Sequence, residues 1–156
     1  MQSVYLETTI PSYLTAWRSP DLVMAARQQL TREWWDNRRG DFELFISQLV
    51  LDEAGAGDRV AAARRLEAVE GLPLLGLQPD AQELAERLIR VLALPRRAAA
   101  DAVHIALAVV NGMDYLLTWN CTHIANAVFR PIIESECRSL GYYVPVICTP
   151  EELLTV

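Results

Sequence analysis

No lysine occurs anywhere in this chain. All fourteen basic residues are arginine, against twenty acids, for a net charge of −6 and a pI near 4.9. That balance argues against broad, sequence-independent binding of nucleic acid through a basic surface. It leaves arginine's bidentate fork, which suits phosphate and carboxylate partners. Cysteine is scarce as well. Cys121, Cys137 and Cys148 are odd in number and lack CxxC spacing, which argues against structural disulfides and a zinc site. Reduced, partly buried thiols are expected. Phosphate-cradling loops are missing: Gly55-Ala56-Gly57-Asp58 lacks the GK[ST] element, and there is no GxGxxG, which disfavours nucleotide-binding enzymes built on those loops. The longest apolar stretch, Ala102 to Val110, is interrupted by His104 and is too short to span a bilayer. MQSVYLETT has no basic region followed by an apolar core, so no signal peptide is expected and a cytoplasmic protein is the default.

What is present fits one compact domain over residues 1–156, with 52% hydrophobic residues and a mean hydropathy of +0.14. SVYLE (3–7) reads as a strand, followed by a turn in which Pro11 suits a helix start. After Ser19-Pro20-Asp21, Val23, Ala26, Leu30 and Trp34 recur at helical spacing up to Gly40. ELFIS (43–47) is a second strand, and Ser47 caps a short helix carrying Glu53. A helix from Asp58 turns Val60, Ala63 and Leu66 inward and ends at Gly71. LPLLGL (72–77) is a third strand, short or at an edge because of Pro73 and Gly76. Pro79-Asp80 opens a helix with Ala81, Leu84, Ala85, Leu88 and Leu92 on one face. Ala98 to Val110 is apolar nearly all round and reads as a buried helix. Strands at 115–119 and 143–148 flank helical segments over 121–140, and a terminal helix follows Thr149-Pro150. Alternating strands and helices imply an α/β fold with a mainly parallel sheet covered on both faces.

Four oxygen-bearing residues then fall at comparable places. Glu7 ends the first strand, Glu53 follows the second, Asp101 lies in the first turn of the buried helix, and Asn120 follows the fourth strand. Ligands of open parallel sheets bind at the carboxyl ends of the strands, so all four are candidates for one site. Carboxylate and amide oxygens suit Mg²⁺ or Mn²⁺, and such a centre suits metal-assisted phosphodiester hydrolysis. In the helix from Ala98 to Val110, Asp101 and His104 are the only polar side chains. A buried carboxylate must be paired or bind a cation. His104, one turn on, is placed to hydrogen-bond Asp101 or line the site. Thr8 and Thr118 are candidates to orient carboxylates or water, and His123 to contact substrate or cap a turn. Arg96 and Arg97, just before Asp101, and Arg18 are candidate phosphate contacts. Trp34 and Trp35 are expected in packing, with Trp35 also a candidate for an interface.

These segments, YLETTIPSYL, SQLVLDE, DAVHIALA and LLTWNCTHI, resemble PIN domains, specifically the toxin nucleases of VapBC toxin–antitoxin modules. The third segment is the most distinctive, and the resemblance runs from Val4 to Leu154. It implies a three-layer α/β/α sandwich with a five-stranded parallel sheet. It implies a Mg²⁺- or Mn²⁺-dependent ribonuclease with Glu7, Glu53, Asp101 and Asn120 as its metal and catalytic residues. It also implies RNA as substrate, a homodimer, and an antitoxin whose tail enters the active-site groove. Two positions depart from the usual pattern. Glu7 stands where Asp is usual, and Asn120 where Asp is frequent, which removes a charge and weakens the site for a second metal. The competing class is a degenerate PIN domain that holds RNA or a protein without cleaving it. A phosphate-accepting receiver domain is disfavoured, because two threonines follow Glu7 and the lysine such domains need is missing.

Overall fold

The computed structural model describes residues 1–155, which form a three-layer α/β/α sandwich. Its five strands are β1 (Gln2–Leu6), β2 (Phe42–Ser47), β3 (Leu74–Leu75), β4 (Tyr115–Leu117) and β5 (Val146–Cys148). All pair in parallel, in the order β3-β2-β1-β4-β5. Helices α1 (Thr9–Thr15) and α2 (Leu22–Asn37) link β1 to β2, and α3 (Gln48–Ala54) and α4 (Arg59–Ala68) link β2 to β3. Helices α5 (Pro79–Val91) and α6 (Ala99–Val110) carry the chain back across to β4, and α7 (Phe129–Ser139) leads to β5. Right-handed crossovers in opposite directions put the two sets of helices on opposite faces of the sheet.

The apolar pattern accounts for most of this packing. Ala81, Leu84, Ala85 and Leu88 of α5 are buried, as the spacing predicts. They meet α6, which is buried from Ile105 to Val109. β1 lies at the centre, with Val4, Tyr5 and Leu6 inaccessible to solvent. Helix α2 departs from its expected face. Trp34 is buried as expected, but Val23 is 61% exposed and Gln28 and Thr31 are buried. Polar bonds explain the rotation: Gln28 grips the preceding loop, and Thr31 Oγ1 accepts the Trp119 indole N–H at 2.7 Å. Helix α4 is likewise turned, with Ala62 inward and Val60 exposed.

β4 and β5 are shorter than their expected spans, whereas β3 is short and at the sheet edge, as Pro73 and Gly76 imply. β3 is two residues long beside Pro73, whose carbonyl still accepts the Ile46 N–H at 3.0 Å. β5 begins after Pro145, and β4 ends at Leu117, before the threonine that serves the site. Residues 121–128 form turns instead of helix, and the terminal helix is a single 3₁₀ turn closed by the Thr149–Glu152 capping box. Trp34 is buried and Trp35 packs partly against the core.

The three thiols are free: Cys121 is exposed, and Cys137 and Cys148 are buried. Burial pushes the Cys137 thiol up to about 11 and the Cys148 thiol up to about 12. The thiolate is the reactive form, so a disulfide reagent at mildly alkaline pH should titrate Cys121 alone in the native protein. Denaturant should release the other two. Rapid native reaction of all three would contradict this packing.

Candidate metal-binding active site

β1 pairs with β2 on one side and β4 on the other. The chain winds outward from β1 to β3, then restarts at β4, so the winding reverses between β1 and β4. A crevice opens at the carboxyl ends of such a strand pair. Glu7 follows β1 there, and its N–H donates to the Leu117 carbonyl at 3.1 Å.

Glu7 is only 4% exposed. Its Oε1 accepts three hydrogen bonds: from the Thr9 N–H at 3.1 Å, from Thr9 Oγ1, and from Thr118 Oγ1 at 2.7 Å. Both hydroxyls are also acceptors. Thr9 Oγ1 takes the Trp119 N–H at 2.8 Å, and Thr118 Oγ1 takes the Asn120 N–H at 2.9 Å. Two threonines thus tie the segment after β4 to the carboxylate. Among the described residues no donor reaches Glu7 Oε2.

Glu53 arrives from α3, a short helix that Ser47 caps by accepting the Val50 N–H. Its Oε1 accepts Thr8 Oγ1 at 2.6 Å and His104 Nε2 at 2.6 Å, and among the described residues no donor reaches Oε2. Burial pushes this carboxyl's pKa up, but the bonds from His104 and Thr8 outweigh it and hold it below the ordinary value.

A carboxylate can only accept, so His104 Nε2 carries a proton. In the neutral ring Nδ1 then accepts from the Tyr5 hydroxyl at 2.7 Å, and Tyr5 accepts from Ser47 Oγ at 2.7 Å. The proton direction runs unbroken from the α3 cap to Glu53. His104 is fully buried, and burial holds the Tyr5 phenol well above its ordinary pKa, so it remains a donor.

Ligand atoms of Glu7, Glu53 and His104 lie within 4.8 Å of one another. Both His104 nitrogens are engaged, so His104 serves Glu53 rather than an ion. Asp101 lies outside this trio, three residues before His104 on the same helix face. Of the two roles open to His104, it takes the one within the site, beside Glu53, and the bond to Asp101 is not formed. Asp101 Oδ2 instead accepts the Nδ1–H of His123 at 2.9 Å, and His123 is stacked on Phe129. Asn120 Oδ1 accepts the His123 N–H at 3.0 Å and so holds the turn that presents this histidine.

The remaining candidates divide by exposure. Thr118 is fully buried behind Glu7, where it orients the acid and cannot meet a substrate. Thr8 is likewise bonded to Glu53. Arg18, Arg96 and Arg97 are exposed, and none has an acid within ion-pair reach among the described residues. Tyr5 and Thr9 are not marked by any sequence motif, and Ser47 is expected only as the cap of α3. The two-residue period of a strand places Tyr5 on the face that carries Glu7, which is the signal that would have found it.

Glutamates with one oxygen held by protein and the other left free fit a hard divalent ion, which takes oxygen ligands and keeps water. Fold and site together define a parallel α/β protein with an acidic, oxygen-rich centre at its switch point. A family model described as PIN domain matches residues 4–120, more than half of the chain, and the chain belongs to the PIN domain family. That family is generally one of nucleases, typically metal-dependent. No curated protein matches the chain significantly.

The lowered Glu53 pKa has a stability consequence. Its folded-state value lies below the unfolded value of 4.5, so its contribution is complete above pH 4.5 and fades as pH falls through the folded value. The stability gap between wild type and Glu53→Gln, followed by urea unfolding, should be constant near neutrality and narrow below pH 4.5. A gap that widens on acidification would reverse the assignment.

Proposed function

We propose that this PIN domain is a Mg²⁺- or Mn²⁺-dependent endoribonuclease, the toxin of a VapBC-type module. The observation that carries the nuclease reading is the shared state of Glu7 and Glu53: each commits one oxygen to protein donors and keeps the other free. Those free oxygens, with Asp101 at the same sheet edge, would hold the ion, and Asn120 orients the adjoining turn. A bound divalent ion supplies charge stabilisation on the phosphate and a more acidic water. Thr8 and His104 keep Glu53 ionised and fix which oxygen it offers. Thr9 and Thr118 fix which oxygen Glu7 offers. His123, which donates its Nδ1–H to Asp101, keeps Nε2 as an acceptor for a ribose hydroxyl. Arg96 and Arg97, on the turn before α6, contribute phosphate contacts, and RNA is the substrate. The toxin assignment rests on the segments around Glu7, Glu53, Asp101 and Asn120. With it come a homodimer and a cognate antitoxin as partners, and a cytoplasmic site of action. No helix of the described chain is long and apolar enough to cross a membrane.

A second reading, RNA or protein binding without cleavage, is favoured by Asn120. Its Oδ1 already caps a turn, and it brings no charge to the centre.

Calorimetry with Mn²⁺ separates the two. Wild type should bind Mn²⁺ and cleave single-stranded RNA, and Asp101→Asn should lose both. No Mn²⁺ binding by wild type would favour the non-cleaving module. His104→Gln and Tyr5→Phe should fold yet bind Mn²⁺ about 10- to 100-fold more weakly, the usual cost of losing a group that orients a ligand. Unchanged affinity in both would remove the Tyr5–His104 chain from the site. In cells, growth arrest on expression should be relieved by Glu7→Gln and by co-expression of the adjacent gene's product.

A further inference from the structure

Between α1 and α2 the chain leaves a tryptophan in solvent and holds it there. Trp17 is 81% exposed, while Gln28, 3% exposed, grips the backbone on both sides of Arg18. Gln28 Nε2 donates to the Trp17 carbonyl at 3.1 Å, and the Ser19 N–H donates to Gln28 Oε1 at 3.0 Å. Arg32 adds a longer bond to the Ala16 carbonyl at 3.4 Å. A buried amide used this way makes the loop rigid, so the exposed ring and Arg18 are presented, not merely left over.

The surroundings are cationic although the chain is acidic. The Arg64 guanidinium of α4 stacks on Trp17, 4.5 Å from the ring centroid. Arg18 and Arg32 border a groove of about 460 Å³ whose other walls are Leu22, Ala25, Ala26 and Gln29, with no acid among them. None of the three arginines has a carboxylate within 4.0 Å among the described residues. The patch lies at the catalytic end of the sheet. The start of α2 adjoins Trp119, Cys121 and Thr149, which follow β4 and β5, and α1 connects Thr8 to this loop over about 10 Å.

We propose that Trp17, Arg18, Arg32 and Arg64 form a docking subsite for single-stranded RNA. A base stacks on the open face of Trp17, and the flanking phosphates meet Arg18 and Arg32. Base-on-aromatic stacking with arginine beside it is the sequence-tolerant way to hold a single strand. Charge complementarity favours a polyanion over an apolar protein segment. The subsite rests on RNA being the substrate, and it extends the path of the strand beyond the acidic centre.

The test is equilibrium binding of a fluorescently labelled oligouridylate in EDTA, where cleavage is blocked. Trp17→Ala should weaken binding about tenfold, and Trp17→Phe should restore most of it. Arg18→Gln should lower the slope of log affinity against log salt by about 0.7. Wild-type affinity in Trp17→Ala would overturn the subsite and leave the patch to a protein partner. No RNA binding by wild type would overturn it too. Cleavage in Mn²⁺, scored on the same proteins, keeps the two readings apart. Cleaved RNA with Trp17→Ala binding normally defeats the subsite alone. Lost binding in Trp17→Ala with no cleavage by wild type defeats the nuclease alone.

Discussion

A carboxylate at the end of the central strand of a buried sheet must be hydrogen-bonded wherever protein covers it, because an unpaired buried charge costs several kcal/mol at least. Glu7 is under that constraint, and the neighbouring structure follows from it. Three donors gather on one oxygen. Two of them are threonine hydroxyls that also accept backbone N–H groups of residues 119 and 120. Satisfying the acid therefore fixes how the segment after β4 leaves the sheet. That segment in turn positions Asn120, His123 and, through His123, Asp101.

Glu53 is stabilised by a different arrangement. Its helix is short and partly exposed, so its position is set less by packing than by a hydrogen-bonded chain through His104, Tyr5 and Ser47. Ser47 joins the two ends of this chain, since it caps the helix that carries Glu53 and donates to the tyrosine. Loss of one hydroxyl would free the histidine ring and leave a buried polar group unmatched, a larger cost than the bond itself. Both glutamates end in the same condition, with one oxygen saturated and the other available.

Much of this was legible in the residues. The α/β alternation, the buried α6, the apolar stripe of α5 and the placing of Glu7, Glu53, Asp101 and Asn120 after strands or at a helix start all follow from local patterns. The short edge strand β3 follows from Pro73 and Gly76, whereas the ends of β4 and β5 were less legible. The face of α2 was misjudged because periodicity counts apolar residues. There, two polar side chains are buried, Gln28 against the loop that precedes the helix and Thr31 against Trp119, and Val23 is turned out. His104 was noticed, but its partner was not. One helical turn suggested Asp101, whereas the bond goes to Glu53 from another element.

Sequence alone determined the element types, the parallel sheet and the residues able to bring oxygen to a metal, because these depend on local propensity, on hydrophobic period and on side-chain chemistry. Tertiary structure decided which oxygen of each acid is free, which histidine serves which carboxylate, and that Trp17 is held in solvent beside Arg64. Those facts rest on contacts between residues tens of positions apart, such as Thr118 with Glu7 and Arg64 with Trp17. No local pattern encodes the distance or direction of such a contact, which is set only when the sheet and its two helical layers close together.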